Sequence, residues 1–388
     1  MTKDSITFAM IEAGGGHKSP ANAIRTALKD KVPADVAIQV MDFCKDIGAV
    51  ADDLRHKTGW DRALGRPLLT RLTYHLIDFF GPLTRLYIRY TFRDTRRRAV
   101  DWFLENRPKL FIATHFLNAA AAVHAKKKIP DFDSTIILFA SDPHDISALW
   151  IWRDVDYLMV CSEDVKKKAK RRGFKDEKIK VFPYPVNPNF FDIPAKEGNL
   201  DLPAVEDEKL TVLFSAGGQG ISKIGESVKL LIDKDVPIHI IAVCGRNEKL
   251  YRELSDLERP NESKVQLQPF GFVNNMNELI QISDLVVIKA GAASTYEALY
   301  LKKPIIFFEY VAHNERTNIE YVLDKNLGWW VKNENELLGL LSDLISNRKH
   351  LNEKNERYDS INLQNGAEDI ADFISNLYQE RANSIDKN

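Results

Sequence analysis

A histidine follows three consecutive glycines near the start of the chain, in the stretch AMIEAGGGHKSPANAI (residues 9–24). The glycines leave the backbone open to a bound molecule, and His17 at the end of the turn could act as a general base. A dinucleotide fingerprint is an alternative, but Gly14 and Gly16 match only its first half, and Ser19 stands at its third glycine position. A glycine turn that serves only strand-to-helix packing is a second alternative.

Two loops in the second half of the chain could hold a phosphorylated ligand. The first, Gly217-Gly218-Gln219-Gly220, follows an apolar run and precedes a segment with helical spacing. Unpaired N–H groups at the start of a helix bind anions, so this loop predicts a phosphate site.

The second loop lies in DLVVIKAGAASTYEAL (residues 284–299), where a predicted strand ends at Lys289. Small residues follow, and they would let backbone N–H groups approach a diphosphate: Gly291, Ala292, Ala293 and Ser294. Glu297 comes next, in the first turns of a helix, where a carboxylate can accept hydrogen bonds from both hydroxyls of a ribose. The alternative is that Glu297 is only a favourable charge at a helix N-terminus.

A polar loop follows the next predicted strand, in EYVAHNERTNIEYV (residues 309–322). Asn314, Glu315 and Asn318 offer directional hydrogen bonds, which suit a ligand rich in hydroxyl groups such as a sugar. This loop would be ordinary on its own, so its interpretation depends on the loops before it.

These loops need elements that hold them, and the sequence alternates apolar strand-like runs with helical segments. A linker rich in Pro, Asn and acidic residues (182–209) separates five such runs from five more. This alternation predicts parallel sheets covered by helices on both faces. We predict an α/β fold of two doubly wound domains that face a cleft, residues 1–200 and 201–388, with ligands at the carboxyl ends of the strands. The C-terminal helix could pack back on the first domain.

Composition limits the classes of protein to which the chain can belong. Its 388 residues are too many for one ordinary core, and 44% hydrophobic with 28% charged residues is typical of a soluble globular protein. Three separated cysteines without a CxxC pair predict neither a disulfide framework nor a zinc site, and they fit a reducing cytosol. The start shows no secretory signal, and no apolar run reaches ~18 residues. We therefore expect a cytoplasmic protein.

The net charge of −1 conceals a strongly basic segment. Residues 55–98 carry a net charge of +8, and residues 59–100 interleave arginines with aromatic residues at helical spacing, with a break at Gly81-Pro82. Such a face can rest on an anionic membrane, with aromatic side chains in the lipid interface and arginines at the headgroups. The candidate residues for this face are Trp60, Phe79, Phe80, Arg89, Arg93, Arg96 and Arg97.

Two alternatives to a membrane face stay open for this segment. It could form ordinary amphipathic helices packed on the sheet, or it could bind nucleic acid. The sequence contains no nucleic-acid-binding module, so we expect no nucleic-acid partner. A second basic cluster, KKKAKRR (residues 166–172), is typical of a solvated helix face.

Taken in this order, the motifs resemble those of a known enzyme family. Besides the glycine-histidine turn and the loop at Gly217-Gly218, they include FGFVNNMNELI, KAGAASTYEAL and HNERTN. They resemble the GT-B glycosyltransferases, which have two Rossmann-like domains. Within this fold the resemblance is to the monogalactosyldiacylglycerol synthases and processive diacylglycerol glucosyltransferases, with the peptidoglycan GlcNAc transferase as a more distant relative. It covers about residues 5–330.

The resemblance implies roles for the matching residues. His17 would deprotonate the acceptor hydroxyl, with room for sugar and phosphate beside Gly16. The family's KPGG-x-T-x-x-EA motif falls on Lys289 to Ala298, which puts Glu297 in the ribose slot. The family's loop QE-x-x-N, which would hold the donor sugar, falls on Asn314, Glu315 and Asn318.

The resemblance also implies the rest of the donor and acceptor sites. Asp142 is a second catalytic candidate, because the family's TD…W stretch falls on Ser141, Asp142 and Trp150. The uracil would be flanked by Phe270, Gly271 and Phe272. The diphosphate would be held near Gly218, Gln219, Ala292, Ala293 and Ser294.

Several positions depart from the family pattern. Asn314 is shorter than the family's glutamine, which leaves the donor sugar open. A family histidine three residues before the tryptophan is Ser147 here, whereas His144 lies just upstream. The other changed positions are Ala290, Ala292 and Ser294.

The resemblance implies an inverting glycosyltransferase that moves a hexose from a UDP-sugar to the hydroxyl of a diacylglycerol-type lipid and makes a β-linked glycolipid. We expect a peripheral position on the inner face of the cell membrane. We expect no cofactor and no catalytic metal, because no Asp-x-Asp motif stands out. Two rival functions stay open, namely a UDP-sugar epimerase on the same fold and a non-catalytic nucleotide-sugar-binding protein.

Overall fold

The structure, a computed structural model, describes residues 4–12, 15–64, 66–192, 209–218, 223–257, 262–311 and 313–385. Gln219 and most of the predicted linker lie outside the described residues. The contacts of the chain group it into two compact units. Unit 1 comprises Met1–Asn189, Val311–Asn314 and Asn365–Asn388, and unit 2 comprises Phe190–Tyr310 and Glu315–Gln364.

The described strands coincide with the apolar runs of the sequence. They are β1 (Ser5–Met10), β2 (Ala37–Asp42), β3 (Leu110–Ala113), β4 (Thr135–Phe139), β5 (Tyr157–Val160), β6 (Ile179–Val181), β7 (Leu210–Ser215), β8 (Ile238–Val243), β9 (Gln266–Phe270), β10 (Leu285–Lys289), β11 (Ile305–Glu309) and β12 (Gly328–Trp330). Only β6 and β12 lack a predicted counterpart, because three residues at a sheet edge give too short an apolar run.

The helices follow the strands in alternation. They are α1 (Lys18–Leu28), α2 (Phe43–Asp46), α3 (Val50–Leu64), α4 (Pro67–Phe79), α5 (Gly81–Thr91), α6 (Arg93–Asn106), α7 (Phe116–Lys128), α8 (Glu163–Arg171), α9 (Ile224–Asp233), α10 (Glu248–Ser255), α11 (Met276–Ile282), α12 (Ala292–Tyr300), α13 (His313–Asp324), α14 (Glu334–Ser346), α15 (Lys349–Asp359) and α16 (Ala367–Ile385). No helix in the described ranges is both long and apolar enough to cross a membrane.

Unit 1 contains a parallel sheet in the order β2-β1-β3-β4-β5-β6. Its strands are buried on both faces: Ile6 and Phe8 face α1 and α16, whereas Phe111 faces α6 and α7. The order reverses between β1 and β3, and in a doubly wound sheet ligands bind in the crevice at such a point. The loops after β1 and β3 should therefore carry chemistry.

The C-terminal helix belongs to unit 1 because its apolar face completes a core there. Ile370, Ala371 and Ile374 of α16 are fully buried against the sheet and α1. Just before the helix, Asn365 accepts a hydrogen bond from the backbone N–H of Val186 at 2.9 Å and donates one to its carbonyl at 2.7 Å. The first crossing of the chain between the units therefore falls at residues 189–190, rather than near residue 200.

Unit 2 contains a parallel sheet in the order β12-β11-β10-β7-β8-β9, which reverses between β7 and β10. Val212, Phe214 and Val287 lie in its core with the apolar faces of α9 and α14. Two parallel sheets flanked by helices confirm the predicted α/β class with two doubly wound, Rossmann-like domains.

The basic, aromatic segment forms α4 and α5 in unit 1. The helical conformation is interrupted between them at Phe80, beside the Gly81-Pro82 pair. Asp78 anchors the end of α4, because its carboxylate accepts the backbone N–H of Ala148 at 2.6 Å and lies 3.2 Å from the Arg172 guanidinium. Asp78 thus fixes the end of α4 to the rest of unit 1.

Candidate functional site

His17 lies at the crevice of unit 1, between β1 and α1. Its Nδ1 lies 2.8 Å from the carbonyl oxygen of Thr114, which follows β3. The Thr114 hydroxyl in turn donates to the His17 carbonyl at 2.9 Å. Apart from its two chain neighbours, no described residue has an atom within 4 Å of the position that a side-chain carbon would take at Gly16, so the turn is open at this point.

The tautomer of His17 follows from its partner. A carbonyl oxygen can only accept, so Nδ1 carries the proton and Nε2 carries the lone pair. Ser141 Oγ lies 3.1 Å from the same Nδ1 and joins this anchor. Burial lowers the pKa of His17 to about 4, and nearby His56 adds to this effect, while the Thr114 hydrogen bond opposes it. The imidazole is therefore neutral at pH 7 and can take a proton at Nε2.

Two further histidines pack edge-to-face in a row with His17, and sequence reasoning missed both. The ring centroids of His17 and His115 are 4.5 Å apart, and those of His115 and His56 are 4.7 Å apart. Burial lowers the pKa of His56 to about 4 and that of His115 well below its usual value. His115 also caps α7, because its Nδ1 accepts the backbone N–H of Leu117 at 3.2 Å. The only signal in the sequence was a histidine at the end of the run KLFIATH.

Asp142 follows β4 at the same edge of the sheet. Its Oδ2 accepts the indole N–H of Trp150 at 2.7 Å, and the Trp150 ring centroid lies 6.1 Å from that of His17. Asp142 thus orients a buried ring of the site. His144 is half-buried, with its pKa lowered to about 4 by burial, and Ser147 is buried.

In unit 2, the loop after β7 packs against the loop after β8. Gly245 has a φ of +60°, and a side-chain carbon there would lie 2.4 Å from the Gly217 carbonyl oxygen. Arg246 donates its backbone N–H to the Gly218 carbonyl at 3.3 Å. Only glycine fits this close approach, and Gly218 itself faces space that no described atom occupies within 4 Å. The arrangement leaves Gly218 accessible to a ligand.

The loop after β10 leads into α12, and the residues at the start of this helix have small side chains. Gly291 caps the helix, and its carbonyl accepts the backbone N–H of Thr295 at 3.0 Å. The first N–H groups of a helix have no intrahelical acceptor and attract anions. In α12 these groups belong to Ala292, Ala293 and Ser294.

Glu297 lies one turn further along α12 and lines a pocket with Ser215, Ile288 and Ser294. Its side chain is half-buried, and desolvation raises the pKa of its carboxyl to about 7. Ligand hydroxyls that donate to this carboxylate would offset its desolvation.

Residues at the start of α13 hold the loop after β10 in place. Glu315 lies 3.1 Å from the ammonium nitrogen of Lys289, and Asn318 donates its side-chain N–H to the Ala290 carbonyl at 2.9 Å. Asn318 is buried, and its Oδ1 has no hydrogen-bond partner in the described ranges. Asn314 opens the helix with a half-buried side chain.

An aromatic and a cationic side chain meet at the end of β9. Phe272 is 57% exposed, and the Arg246 guanidinium carbon lies 5.4 Å from its ring centroid. Phe270 and Gly271, directly before it, are half-buried. Sequence reasoning missed Arg246, whose only signal was its place directly after the predicted strand PIHIIAVCG.

The outer sides of α4 and α5 expose a concentrated apolar surface. Nine of the sixteen exposed large hydrophobic side chains in the described ranges lie here, and Phe79 is 80% exposed. On each helix they recur every three or four residues, which puts them on one stripe. This α4–α5 surface consists of Leu69, Leu72, Leu76, Phe79, Phe80, Leu83, Leu86, Tyr87 and Tyr90.

The predicted basic residues differ in their exposure. Arg89 and Arg93 are exposed, and Arg97 is exposed with its guanidinium 3.1 Å from Asp94. Arg96 is half-buried: its guanidinium donates to the Arg89 carbonyl and contacts His124 of α7, at 2.8 Å in each case. These contacts help to pack α5, α6 and α7 together, so Arg96 is less available to a membrane surface than Arg89 and Arg93 are. Trp60 of α3 is half-buried.

Within the described residues, no cluster of three or more His, Cys, Asp or Glu side chains could hold a metal ion. The groups that the structure presents for chemistry include the neutral histidines of unit 1 and, in unit 2, backbone N–H groups, carboxylates and a lysine.

Two family models match the chain, one in each half. Residues 17–186 match monogalactosyldiacylglycerol (MGDG) synthase, and residues 211–376 match the glycosyltransferase family 28 C-terminal domain. These matches confirm the predicted resemblance of the chain to the MGDG synthase group of GT-B glycosyltransferases. His17 begins the first match, and Glu297 and Glu315 lie within the second.

Individual relatives agree with this assignment. The chain is 26% identical to monogalactosyldiacylglycerol synthase 1, chloroplastic, of Arabidopsis thaliana over 360 residues, which are 87% of this chain and 64% of that protein. It is 26% identical to processive diacylglycerol beta-glucosyltransferase of Bacillus licheniformis over 223 residues, which are 57% of each chain. The chain thus spans less than two thirds of the length of either relative.

Solved structures share the fold. UDP-GlcNAc 2-epimerase from Neisseria meningitidis bound to UDP-GlcNAc superposes with a TM-score of 0.58 at 13% identity, covering 99% of both chains. MurG of Acinetobacter baumannii superposes with a TM-score of 0.56 at 12% identity, covering 96% of this chain and 99% of that one. At these identities the likeness shows the fold alone, because one fold can serve proteins of different function.

Proposed function

We propose that this chain is a UDP-sugar-dependent hexosyltransferase that glycosylates the hydroxyl of a diacylglycerol-type lipid. The observation that carries the proposal is the α4–α5 surface, nine exposed apolar side chains on the unit that matches the MGDG synthase model. A UDP-sugar epimerase or a transferase for a soluble acceptor has no use for such a surface, whereas an enzyme that draws its acceptor from a membrane does.

Unit 2 supplies a binding site for the donor. The N–H groups that open α12 and the exposed backbone at Gly218 would hold the diphosphate, and Glu297 would accept both ribose hydroxyls. Phe272 and Arg246 offer a flat aromatic and cationic face to the uracil. The clamp formed by Glu315 and Asn318 would place the hexose next to the diphosphate.

Unit 1 supplies the proton acceptor. His17 Nε2 takes the proton of the lipid hydroxyl while the oxygen attacks the anomeric carbon of the hexose. The bond from that carbon to the diphosphate breaks, and UDP leaves with the electron pair, its charge stabilised by the N–H groups of unit 2. Attack from the face opposite the diphosphate inverts the centre, so an α-linked donor gives a β-glycoside.

The same proposal gives the chain a place on the inner, cytoplasmic face of the cell membrane. The α4–α5 surface would enter the lipid interface, and Arg89, Arg93 and Arg97 would meet anionic headgroups, in a segment whose net charge is +8. The attachment is peripheral, through side chains of amphipathic helices.

The proposal is tested by measuring UDP release from UDP-glucose and from UDP-galactose, with and without vesicles that contain diacylglycerol. We expect release from at least one donor that rises severalfold when diacylglycerol is present. A rate of UDP release that is the same with and without diacylglycerol would favour epimerase-type chemistry. Binding of UDP without release under either condition would favour a nucleotide-sugar-binding protein.

A further inference from the structure

A carboxylate outside the motif residues lies beside the proposed donor site. Glu309 is the last residue of β11 and pairs in register with Lys289, the last residue of β10. A β-bulge separates this pair from the preceding one, which joins Ile288 to Phe307. Bulges re-aim side chains and are frequent next to active sites. Here the bulge sets Glu309 and Lys289 side by side, directly before the loop that opens α12.

One oxygen of Glu309 is used by the protein, and the other is not. The carboxylate accepts the backbone N–H of Lys223, which precedes α9 and so belongs to the end of the β7–α9 loop. Oε2 is buried and has no hydrogen-bond partner in the described ranges. Since an unpaired buried carboxylate oxygen is unfavourable, a ligand donor is the natural complement of this atom.

The surroundings of Glu309 select the kind of donor. Lys289 is already paired with Glu315 at 3.1 Å, and Asn318 presents a second buried oxygen, Oδ1, without a described partner. The positive charge of Lys289 is balanced by Glu315, so the two acceptor oxygens repel phosphate and attract hydroxyl groups. Burial raises the pKa of Glu309, Glu315 adds to this effect, and Lys289 and Lys223 oppose it. The arrangement fits the hydroxyl face of a hexose.

We propose that Glu309 is a specificity-determining residue of the donor site, whose Oε2 accepts a hydrogen bond from a hydroxyl of the transferred hexose. The inference rests on the proposed function, because it presumes a nucleotide sugar in unit 2. It adds to Asn314, Glu315 and Asn318 a residue that the motif comparison does not mark.

The test is calorimetric binding of UDP, UDP-glucose and UDP-galactose to the full chain and to Glu309→Gln. Glutamine keeps a carbonyl oxygen for the Lys223 N–H, so the β7–α9 loop stays anchored. We expect the Kd for UDP to stay within about twofold and the Kd for at least one UDP-hexose to rise about tenfold, as for loss of one hydrogen bond to a charged group. Glu320→Gln is the matched control, because Glu320 lies on the surface of α13, paired with Arg316 at 2.9 Å.

A second variant separates sugar recognition from loop anchoring. Glu309→Ala removes both oxygens, so it should weaken UDP as well as UDP-hexose. If Glu309→Gln weakens UDP and UDP-hexose equally, Glu309 acts through the loop and the inference is overturned. Unchanged UDP-hexose binding in Glu309→Gln also overturns it, while the proposed function stands. A wild-type chain that binds neither ligand contradicts the proposed function and the inference together.

Discussion

The two sheets reverse at equivalent places, between β1 and β3 in unit 1 and between β7 and β10 in unit 2, but they present opposite kinds of chemistry. In unit 1 the loops bring together rings: His17, His115 and Trp150. In unit 2 they bring together backbone N–H groups and the charged side chains of Lys289 and Glu315. The fold supplies the crevice in both units, and the loop residues decide its use.

Burial affects the polar side chains differently in the two crevices. Burial in unit 1 keeps three edge-to-face histidines neutral, and the Thr114 hydrogen bond leaves a lone pair on His17 Nε2. Burial in unit 2 raises the pKa of Glu297, and it leaves Asn318 Oδ1 without a partner among the described residues. We infer a division of labour in which unit 1 takes the proton and unit 2 holds the donor.

Removal of the base should have the largest effect. His17→Ala should lower turnover by about 10²–10⁴-fold, the usual contribution of a general base, with UDP affinity nearly unchanged. Steady-state UDP release and calorimetry with UDP measure the two quantities. His350→Ala is the control, because His350 is an exposed histidine of unit 2 paired with Asp343 at 2.8 Å. Normal turnover in His17→Ala would move the role of base to Asp142.

Loss of the ribose acceptor should come next. Glu297→Ala should weaken UDP binding by about 1.5–3 kcal/mol, the value of hydrogen bonds to a charged group. The Glu320→Ala variant, changed on the surface of α13, should bind UDP as the wild type does. Calorimetry that shows unchanged UDP affinity in a folded Glu297→Ala variant would remove Glu297 from the site.

Membrane binding should depend on the outer side of unit 1. Replacing Arg89 and Arg93 by Ser should weaken binding to anionic vesicles by roughly 2 kcal/mol, since each arginine near such a surface contributes roughly 1 kcal/mol. High salt should weaken wild-type binding only in part, because the apolar contribution is not screened. Vesicle flotation measures both effects.

The control for membrane binding removes the same charge elsewhere. Lys166 and Lys170 of α8 both pair with Asp176, at 3.4 and 3.1 Å, so their replacement by Ser should leave flotation nearly unchanged. An equal loss in both double variants would mean that net charge, rather than the α4–α5 surface, controls binding. If the wild-type protein does not bind anionic vesicles, the main support for a lipid acceptor is lost.

The smallest predicted effect is a pH dependence of donor binding. With its pKa raised to about 7, Glu297 is largely protonated below that pH, whereas ribose hydroxyls donate to the ionised form. UDP affinity should therefore rise by up to about tenfold between pH 6 and pH 8, because binding releases a proton from Glu297. UDP itself also titrates in this range, so the comparison is with Glu297→Gln. An identical pH profile in that variant would contradict the assignment.

The sequence was informative where chemistry and local spacing coincide. Apolar runs predicted the positions of β1 and β10, and the residues after them named His17 and Glu297 as candidates. His17 ends a glycine-rich turn and Glu297 follows a run of small residues, so their local sequence sufficed and no knowledge of distant contacts was needed. Their catalytic and binding roles stay predictions until they are measured.

The partners of these residues could not be predicted, because they depend on which strands are neighbours. His115 reaches His17 only because β3 pairs with β1, and Arg246 reaches Gly218 only because β8 pairs with β7. The inward orientation of Arg96 likewise depends on the position of His124 in α7. Nothing local distinguishes it from the other arginines of its segment.

The final product identifies the function most directly. The chain should be incubated with a UDP-hexose labelled with ¹³C in the sugar and with vesicles that contain diacylglycerol, and the lipid extract analysed by mass spectrometry and NMR. The account predicts that the label is recovered on diacylglycerol as a β-linked hexose, formed from an α-linked donor. Label that stays in the aqueous phase, as free hexose or as an epimerised nucleotide sugar, would contradict it.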